Sequence, residues 1–362
     1  MIKNVRIIIA LLVGISLLSC NNRSDNQNDS RKGLFQYAKN IYSNFNGDSV
    51  TIYFPWNNSC DSIVYQLSQI QAERIAVLST TDIAMLAEMG EINRIAGVCD
   101  PFRISNKEVQ KRIAKGKIKN VGTSMEINAE ALAALNPDLI ITSAYSQQDI
   151  QNFEKLREKL GDIPVIFTMG WQENTPFARC EWIKLYGLLT HNIKKADSIF
   201  SAIEQNYSTI KNLTDSVEHK PLVLAGAASN DIWYMPGGKS YVAQFIADAG
   251  GNYIWKDDQN TGSVVVNFEQ VLQASQKVDL WIGCDEKTLS DLYATNKNYT
   301  LLNVFKKGEI YHRSKRLNEN GGNDYWEYGY VRPDIVLSDY MKAIHPELLP
   351  DYETVFLEKV RE

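Results

Sequence analysis

The sequence predicts an α/β protein of two lobes with parallel sheets, bridged by a single long α-helix. Three observations carry this reading. Apolar strand-like runs alternate with helical segments in both halves of the chain, a pattern that implies parallel strands covered by helices on both faces. Between the halves, residues 192–217 place Ala196, Ile199, Phe200, Ile203, Tyr207, Ile210 and Leu213 three or four apart, with no Gly or Pro inside. That spacing is one face of an uninterrupted helix, long enough to act as a stiff strut. A short pattern before this helix then recurs after it. Glu130 leads to Asp138-Leu139, and Glu269 leads to Asp279-Leu280. In each, a Glu opens a short helix, a tight turn follows, and Asp-Leu enters an apolar strand.

The 362 residues suffice for two domains of ordinary size. A net charge of −5 argues against nucleic acid as a partner, because phosphate binding needs a basic surface. Residues 1–19 read as a signal peptide: Lys3 and Arg6, then an apolar run over 7–18, shorter than the roughly 20 residues a spanning helix needs. The run ends Leu17-Leu18-Ser19-Cys20, which resembles the bacterial lipoprotein signal, with Cys20 as the lipidated residue. A plain secretory signal with a coincidental Cys is the other reading. Residues 20–33 form an expected disordered tether, since 21–33 contain no apolar side chain. No later stretch has the length and apolarity of a transmembrane helix, so the mature protein is expected to be held to the membrane by its lipid anchor alone. Cys60, Cys99, Cys180 and Cys284 lack CxxC or zinc-type spacing, so no pairing follows from sequence. The four histidines are scattered; no metal site and no resident cofactor are expected.

In order, residues 34–72 form an N-terminal β-hairpin segment, with strand-like runs at 50–54 and 62–67 around Pro55-Trp56. The N-terminal lobe spans 73–174. Its strands are expected at 74–79, 95–98, 138–142 and 165–167, and its helices at 83–89, 129–135 and 148–160. The basic residues between 111 and 119 read as one solvated helix face. Residues 175–217 are connecting helices: Thr175-Pro176 starts the first, in the usual cap-then-proline order, and the long helix is the second. The C-terminal lobe spans 218–362, with strands at 222–225, 278–282 and 310–311 and helices at 241–249, 268–274 and 330–344.

These pieces together resemble the substrate-binding proteins of ABC importers for iron siderophores, haem and vitamin B12, in lipoprotein form. The matching parts are the strand at 74–79 with its helix, the unit from Glu130 to Asp138, the long helix, the stretch from Gly237-Gly238 to Gly250-Gly251-Asn252, and the unit from Glu269 to Asp279. They cover residues 73–349. The resemblance implies two Rossmann-like lobes, a ligand in the cleft between them, and a permease dimer as partner. It also implies that Glu130 and Glu269 dock that permease; the other reading is that each carboxylate only favours the start of its helix.

Loops at the C-terminal ends of parallel strands line the crevice of such sheets. That rule selects Phe102, Arg103, Tyr145 and Trp171 in the first lobe, and Trp233, Tyr234, Tyr325 and Trp326 in the second. Aromatic loops suit a large, flat or partly apolar ligand, and Arg103 or Arg332 is placed to pair with its negative groups. The expected function is capture of a ferric siderophore, haem or cobalamin by a monomeric, non-enzymatic binding protein. Two alternatives stay open: a tethered glycan- or protein-binding surface lipoprotein, and an exported α/β enzyme. Gly237-Gly238-Lys239-Ser240 does not complete a phosphate-binding loop, because the required upstream Gly is Trp233. There is no GxSxG or HExxH either.

Overall fold

The computed structural model describes residues 33–362 apart from 45, 57–60, 162, 230 and 231. Cys20, the signal peptide, most of the tether and Cys60 lie outside the described residues. The chain opens on a three-stranded antiparallel sheet, β1 (Ile41–Ser43), β2 (Ser49–Phe54) and β3 (Asp61–Gln66). Strand β2 alternates, burying Val50, Ile52 and Phe54 in the apolar core of the first lobe, as a half-covered strand should. The expected hairpin is β2–β3. Strand β1, which periodicity over three residues cannot show, adds to the other edge of β2, with Ile41 opposite Ile52.

The first lobe contains β4 (Ile75–Val77), α1 (Thr80–Glu88), β5 (Ile95–Val98), α2 (Lys107–Ala114), β6 (Lys119–Asn120), α3 (Ala129–Leu135), β7 (Leu139–Ser143), α4 (Gln147–Leu160) and β8 (Val165–Thr168). Its sheet is parallel throughout, in the order β6-β5-β4-β7-β8. The central strands are buried along their length, which is why they read as unbroken apolar runs rather than alternating ones.

The connector is α5 (Pro176–Cys180), α6 (Ile183–Leu189) and α7 (Ile193–Asn212). The single helix expected from Thr175 is broken at Glu181-Trp182, and the Glu181 carboxylate there is turned toward the N-terminal segment. The bridging helix α7 is 20 residues, roughly 30 Å. It stops five residues short of the expected end. Thr214 there donates its hydroxyl to Lys211 O, offering the backbone an alternative to continuing the helix. Ala196, Phe200 and Ile203 pack into the first core and Tyr207 into the second, so one stripe holds both lobes.

The second lobe contains β9 (Leu222–Ala225), β10 (Ala227–Ser229), β11 (Ile232–Pro236), α8 (Tyr241–Asp248), β12 (Asn252–Tyr253), β13 (Ser263–Asn267), α9 (Phe268–Ala274), β14 (Leu280–Cys284), α10 (Leu289–Thr295), α11 (Asn303–Lys307), β15 (Ile310–His312), α12 (Tyr328–Val331), α13 (Pro333–Ile344) and β16 (Glu358–Lys359). Its main sheet runs β12-β9-β14-β15-β16, parallel except for the edge strand β16. A separate antiparallel sheet pairs β10, β11 and β13. The helix expected over 330–344 divides at Arg332, because Pro333 has no N–H to continue the ladder.

The repeated pattern has a physical basis in both lobes. The Asp138 carboxylate accepts from the amides of Glu73 and Arg74, where the chain enters β4. Asp279 accepts from Leu222 N, the first residue of β9. Each Asp, one residue before its own strand, fixes the start of the neighbouring strand. Strands β4–β7 and β9–β14 are the corresponding parallel pairs.

Candidate functional site

The main cavity is built from short elements of the connector and the second lobe. Helix α5 contributes Pro176 and Arg179, α8 contributes Tyr241 and Phe245, and the segment entering α12 contributes Tyr325, Trp326 and Tyr330. The space among them, open solvent at its mouth included, measures about 340 Å³. Helix α5 starts at Thr175, whose hydroxyl caps Ala178 N, and that start directs Arg179 at α8. The guanidinium carbon lies 3.6 Å from the centre of the Tyr241 ring and 5.8 Å from that of Tyr330, a cation held against aromatic faces. Arg179 also donates from Nε to Glu173 O at 2.8 Å and from Nη2 to Trp171 O at 2.5 Å. Among the described residues it has no carboxylate partner, so its charge is available to a ligand.

Behind Tyr330 lies a smaller hollow of about 220 Å³, floored by Asp82, Ser143, Thr168, Trp171 and Tyr186. Asp82 is buried in the first turn of α1. It accepts 2.6 Å and 3.3 Å bonds from the hydroxyls of Tyr186 and Thr168. Burial outweighs those bonds and pushes its carboxyl up to about 6. Tyr330 therefore lines two spaces, one holding a cationic group and the other an acidic one.

The structure brings together some of the residues expected at the cleft and separates others. Trp326 and Tyr325 line the main cavity, the latter with its ring 4.8 Å from that of Trp326. Trp171 lines the hollow, anchored by its indole N–H to Ala144 O, and Tyr145 lies against it at 5.2 Å with 63% of its surface exposed. Phe102 and Arg103 are exposed on the loop before α2, outside the cavity lining. Trp233 is not a cleft residue. It is fully buried, donates to Ala225 O, and packs on Trp281 and Tyr299 in a core of the second lobe. Strand alternation over β11 explains this: Trp233 and Met235 point in, while Ile232 and Tyr234 point out, so Tyr234 stands on the open face of the antiparallel sheet. Arg332 is not available to a ligand either, since it donates from Nε and Nη2 to Asp334 at 2.9 and 2.7 Å and from Nη1 to the Tyr328 hydroxyl at 3.1 Å, with Glu88 at 3.5 Å. Sequence reasoning missed Arg179, Tyr241 and Tyr330. Nothing in a five-residue connecting helix signals a ligand-facing arginine.

Glu130 and Glu269 are both exposed, each in the first turn of a seven-residue helix capped by an Asn, Asn128 or Asn267. Cys99, Cys180 and Cys284 are buried and unpaired.

A model of the family described as periplasmic binding protein matches residues 75–317, which takes in nearly all of the first lobe, the connector and about two thirds of the second lobe. The chain belongs to that family. An uncharacterised lipoprotein of Methanocaldococcus jannaschii is 27% identical over 305 residues, which is 82% of this chain and 70% of the relative. Among solved structures, a possible iron-binding periplasmic solute-binding protein from Staphylococcus epidermidis superposes with a TM-score of 0.59 at 20% identity, covering 75% of this chain and 98% of that one. A periplasmic heme-binding protein from Pseudomonas aeruginosa gives 0.58 at 14% identity, covering 80% and 98%. The two lobes with parallel sheets and a bridging helix are thus the architecture of a periplasmic binding protein, a family of solute binders rather than enzymes. Among the described residues no helix is long and apolar enough to cross a membrane.

Proposed function

We propose that this periplasmic binding protein is the substrate-binding lipoprotein of an ABC importer, and that it carries a metal chelate in the cavity between the connector and the second lobe to a permease dimer. The observation that carries this is Arg179: a half-buried cation without an acidic partner, laid on Tyr241, in a cavity walled by Phe245, Tyr325, Trp326 and Tyr330. Such a wall binds a flat apolar body, and the guanidinium binds a carboxylate, phosphate or anionic chelate group at its edge. Ferric siderophores, haem and cobalamin share that chemistry. The described residues contain no cluster of three His, Cys, Asp or Glu side chains able to hold a bare metal ion, which favours a metal that arrives inside its own chelate. Relatives named as lipoproteins support membrane attachment through Cys20.

The test is titration of the purified protein with haemin, cyanocobalamin and a ferric catecholate, read by quenching of tryptophan fluorescence. One of the three is expected to bind, and Arg179→Ala or Trp326→Ala to weaken it about thirtyfold, the loss typical of a central anchor residue. Absence of quenching by all three would remove the metal-chelate reading.

Docking is separable from capture. Glu130 and Glu269 occupy equivalent exposed positions in the two lobes, suited to charge-assisted contacts with two copies of one permease subunit. Changing both to Ala is expected to abolish uptake in cells while leaving the titration unchanged. Wild-type uptake by the double variant would confine both residues to capping their helices.

A further inference from the structure

The segment between β15 and α12 leaves the second lobe and takes hold of the first. The Glu327 carboxylate accepts from the backbone N–H groups of Ser105, at 2.6 Å, and Asn106, at 2.9 Å. Asn106 is the N-cap of α2, so the carboxylate meets the partly positive end of a helix of the other lobe. A second attachment lies a few residues earlier. The Asn318 side-chain amide donates to Phe102 O and Ile104 O, and Gly322 passes so close that a Cβ there would lie 1.8 Å from Arg103 O. Both attachments are on residues 102–106, and the residues immediately before Glu327 are Tyr325 and Trp326, one wall of the cavity.

We propose that Glu327 is a positioning residue that holds the Tyr325-Trp326 wall shut by gripping the first lobe, and that the ligand enters when this grip opens. The proposal rests on the reading of the cavity as the ligand site. Even with the open solvent at its mouth counted, the space measures only about 340 Å³, at the low end of the roughly 300–1,000 Å³ that ligand pockets span. A haem- or corrinoid-sized guest therefore needs a wall to move. The connector is braced on both cores by α7, whereas the 318–327 strap is tied to the first lobe by a handful of polar bonds, so the strap is the part that yields.

The grip responds to pH. Glu327 is 3% exposed. Burial pushes its carboxyl from 4.5 up to about 7; the neighbouring Asp324 adds to the rise, while the two amides and Arg316 oppose it. Arg316 and Asp324 form their own 2.9 Å ion pair. A released, hydrated carboxyl returns toward its ordinary value, so the gripped form takes up the proton first. The grip is therefore tightest in acid and loosens as pH rises through about 7.

The test uses ligand-free protein. Hydrogen exchange at the amides of Ser105 and Asn106, corrected for intrinsic rate, is followed from pH 5.5 to 8.5 together with iodide quenching of Trp326. Protection is expected to fall about thirtyfold across that range, with Trp326 becoming more accessible in parallel. Glu327→Gln is expected to flatten the profile, because its side chain cannot ionise. Asn318→Ala is expected to lower protection at every pH and keep the slope. Identical profiles in wild type and Glu327→Gln, or unchanged protection in Asn318→Ala, would overturn the grip. Because no ligand is present, failure here is distinct from failure of the titration above.

Discussion

Glu181→Ala is expected to lower stability by about 5 kcal/mol, enough to shift thermal unfolding by roughly 10 °C. The Glu181 side chain is fully buried and its carboxylate accepts from three successive amides, Gln36 and Tyr37 at 2.7 Å and Ala38 at 2.8 Å. It also binds the buried Lys184 ammonium at 3.0 Å, which in turn holds Leu34 O at 2.8 Å. Removing the carboxylate leaves three part-buried amides without their acceptor and the Lys184 ammonium with only Leu34 O and a 3.6 Å contact to Asp197. An unsatisfied buried donor costs about 1–3 kcal/mol and a broken buried ion pair about 3–5; these terms overlap, so they do not add in full. Glu181→Gln keeps one acceptor oxygen and is expected to cost less than Glu181→Ala. Calorimetry on the three proteins checks the order. A Glu181→Ala protein that melts within a degree of wild type would show that the segment is held by something else.

The same change should weaken ligand binding. Glu173 and Glu181 bracket α5, and Glu173 accepts from the next two amides, Lys39 and Asn40, and from the Trp182 indole. Arg179 anchors its Nε on Glu173 O. The N-terminal segment thus braces the short helix that aims Arg179 into the cavity. A fall in affinity without a change in the Arg179 side chain itself would show this link.

Carboxylates that accept from backbone amides recur through the chain, some buried and some at the surface. Asp339 accepts from Val355, Phe356 and Leu357, Asp138 and Asp279 fix strand starts, and Glu327 ties the two lobes. Of these, only Asp138 and Asp279 were legible in the sequence, because each lies one residue before an apolar strand and the pattern occurs twice. Glu181 and Asp339 read as ordinary helix residues; their amides lie 143–145 and 16–18 positions away. The architecture was legible for a related reason. Periodicity is local, so Ile75–Val77, Leu139–Ser143 and the stripe from Ala196 to Tyr207 announce their burial without reference to anything distant. The cavity is the opposite case. Arg179 and Tyr241 are 62 positions apart in sequence and meet only because α5 and α8 pack together. Trp233 was misplaced because the strand-end rule was applied to a residue whose own alternation, Ile232 and Tyr234 out, Trp233 and Met235 in, already assigned it to a core.

The acidic hollow behind Tyr330 leads to the second large effect. Asp82→Asn is expected to remove a pH dependence of about 3 kcal/mol from folding stability. In the folded protein the Asp82 carboxyl is raised from 3.8 to about 6 by burial, so between those values the folded state holds a proton that the unfolded chain has lost. Its contribution to stability is complete below the ordinary value and is lost as pH rises through about 6. Above that, the folded protein carries a buried anion eased only by the Tyr186 and Thr168 hydroxyls. Asparagine keeps an acceptor for Tyr186 and cannot ionise. The variant should therefore unfold at higher urea than wild type at pH 8 and at nearly the same urea at about pH 3.5, below the ordinary carboxyl value, with an unchanged dependence on denaturant. Parallel pH profiles for the two proteins would mean that Asp82 stays ionised in the fold. The distinction bears on the cavity as well: a protonated Asp82 leaves Arg179 as the unbalanced charge beside Tyr330, whereas an ionised one sets an anion behind the same ring and opposes capture of an anionic chelate.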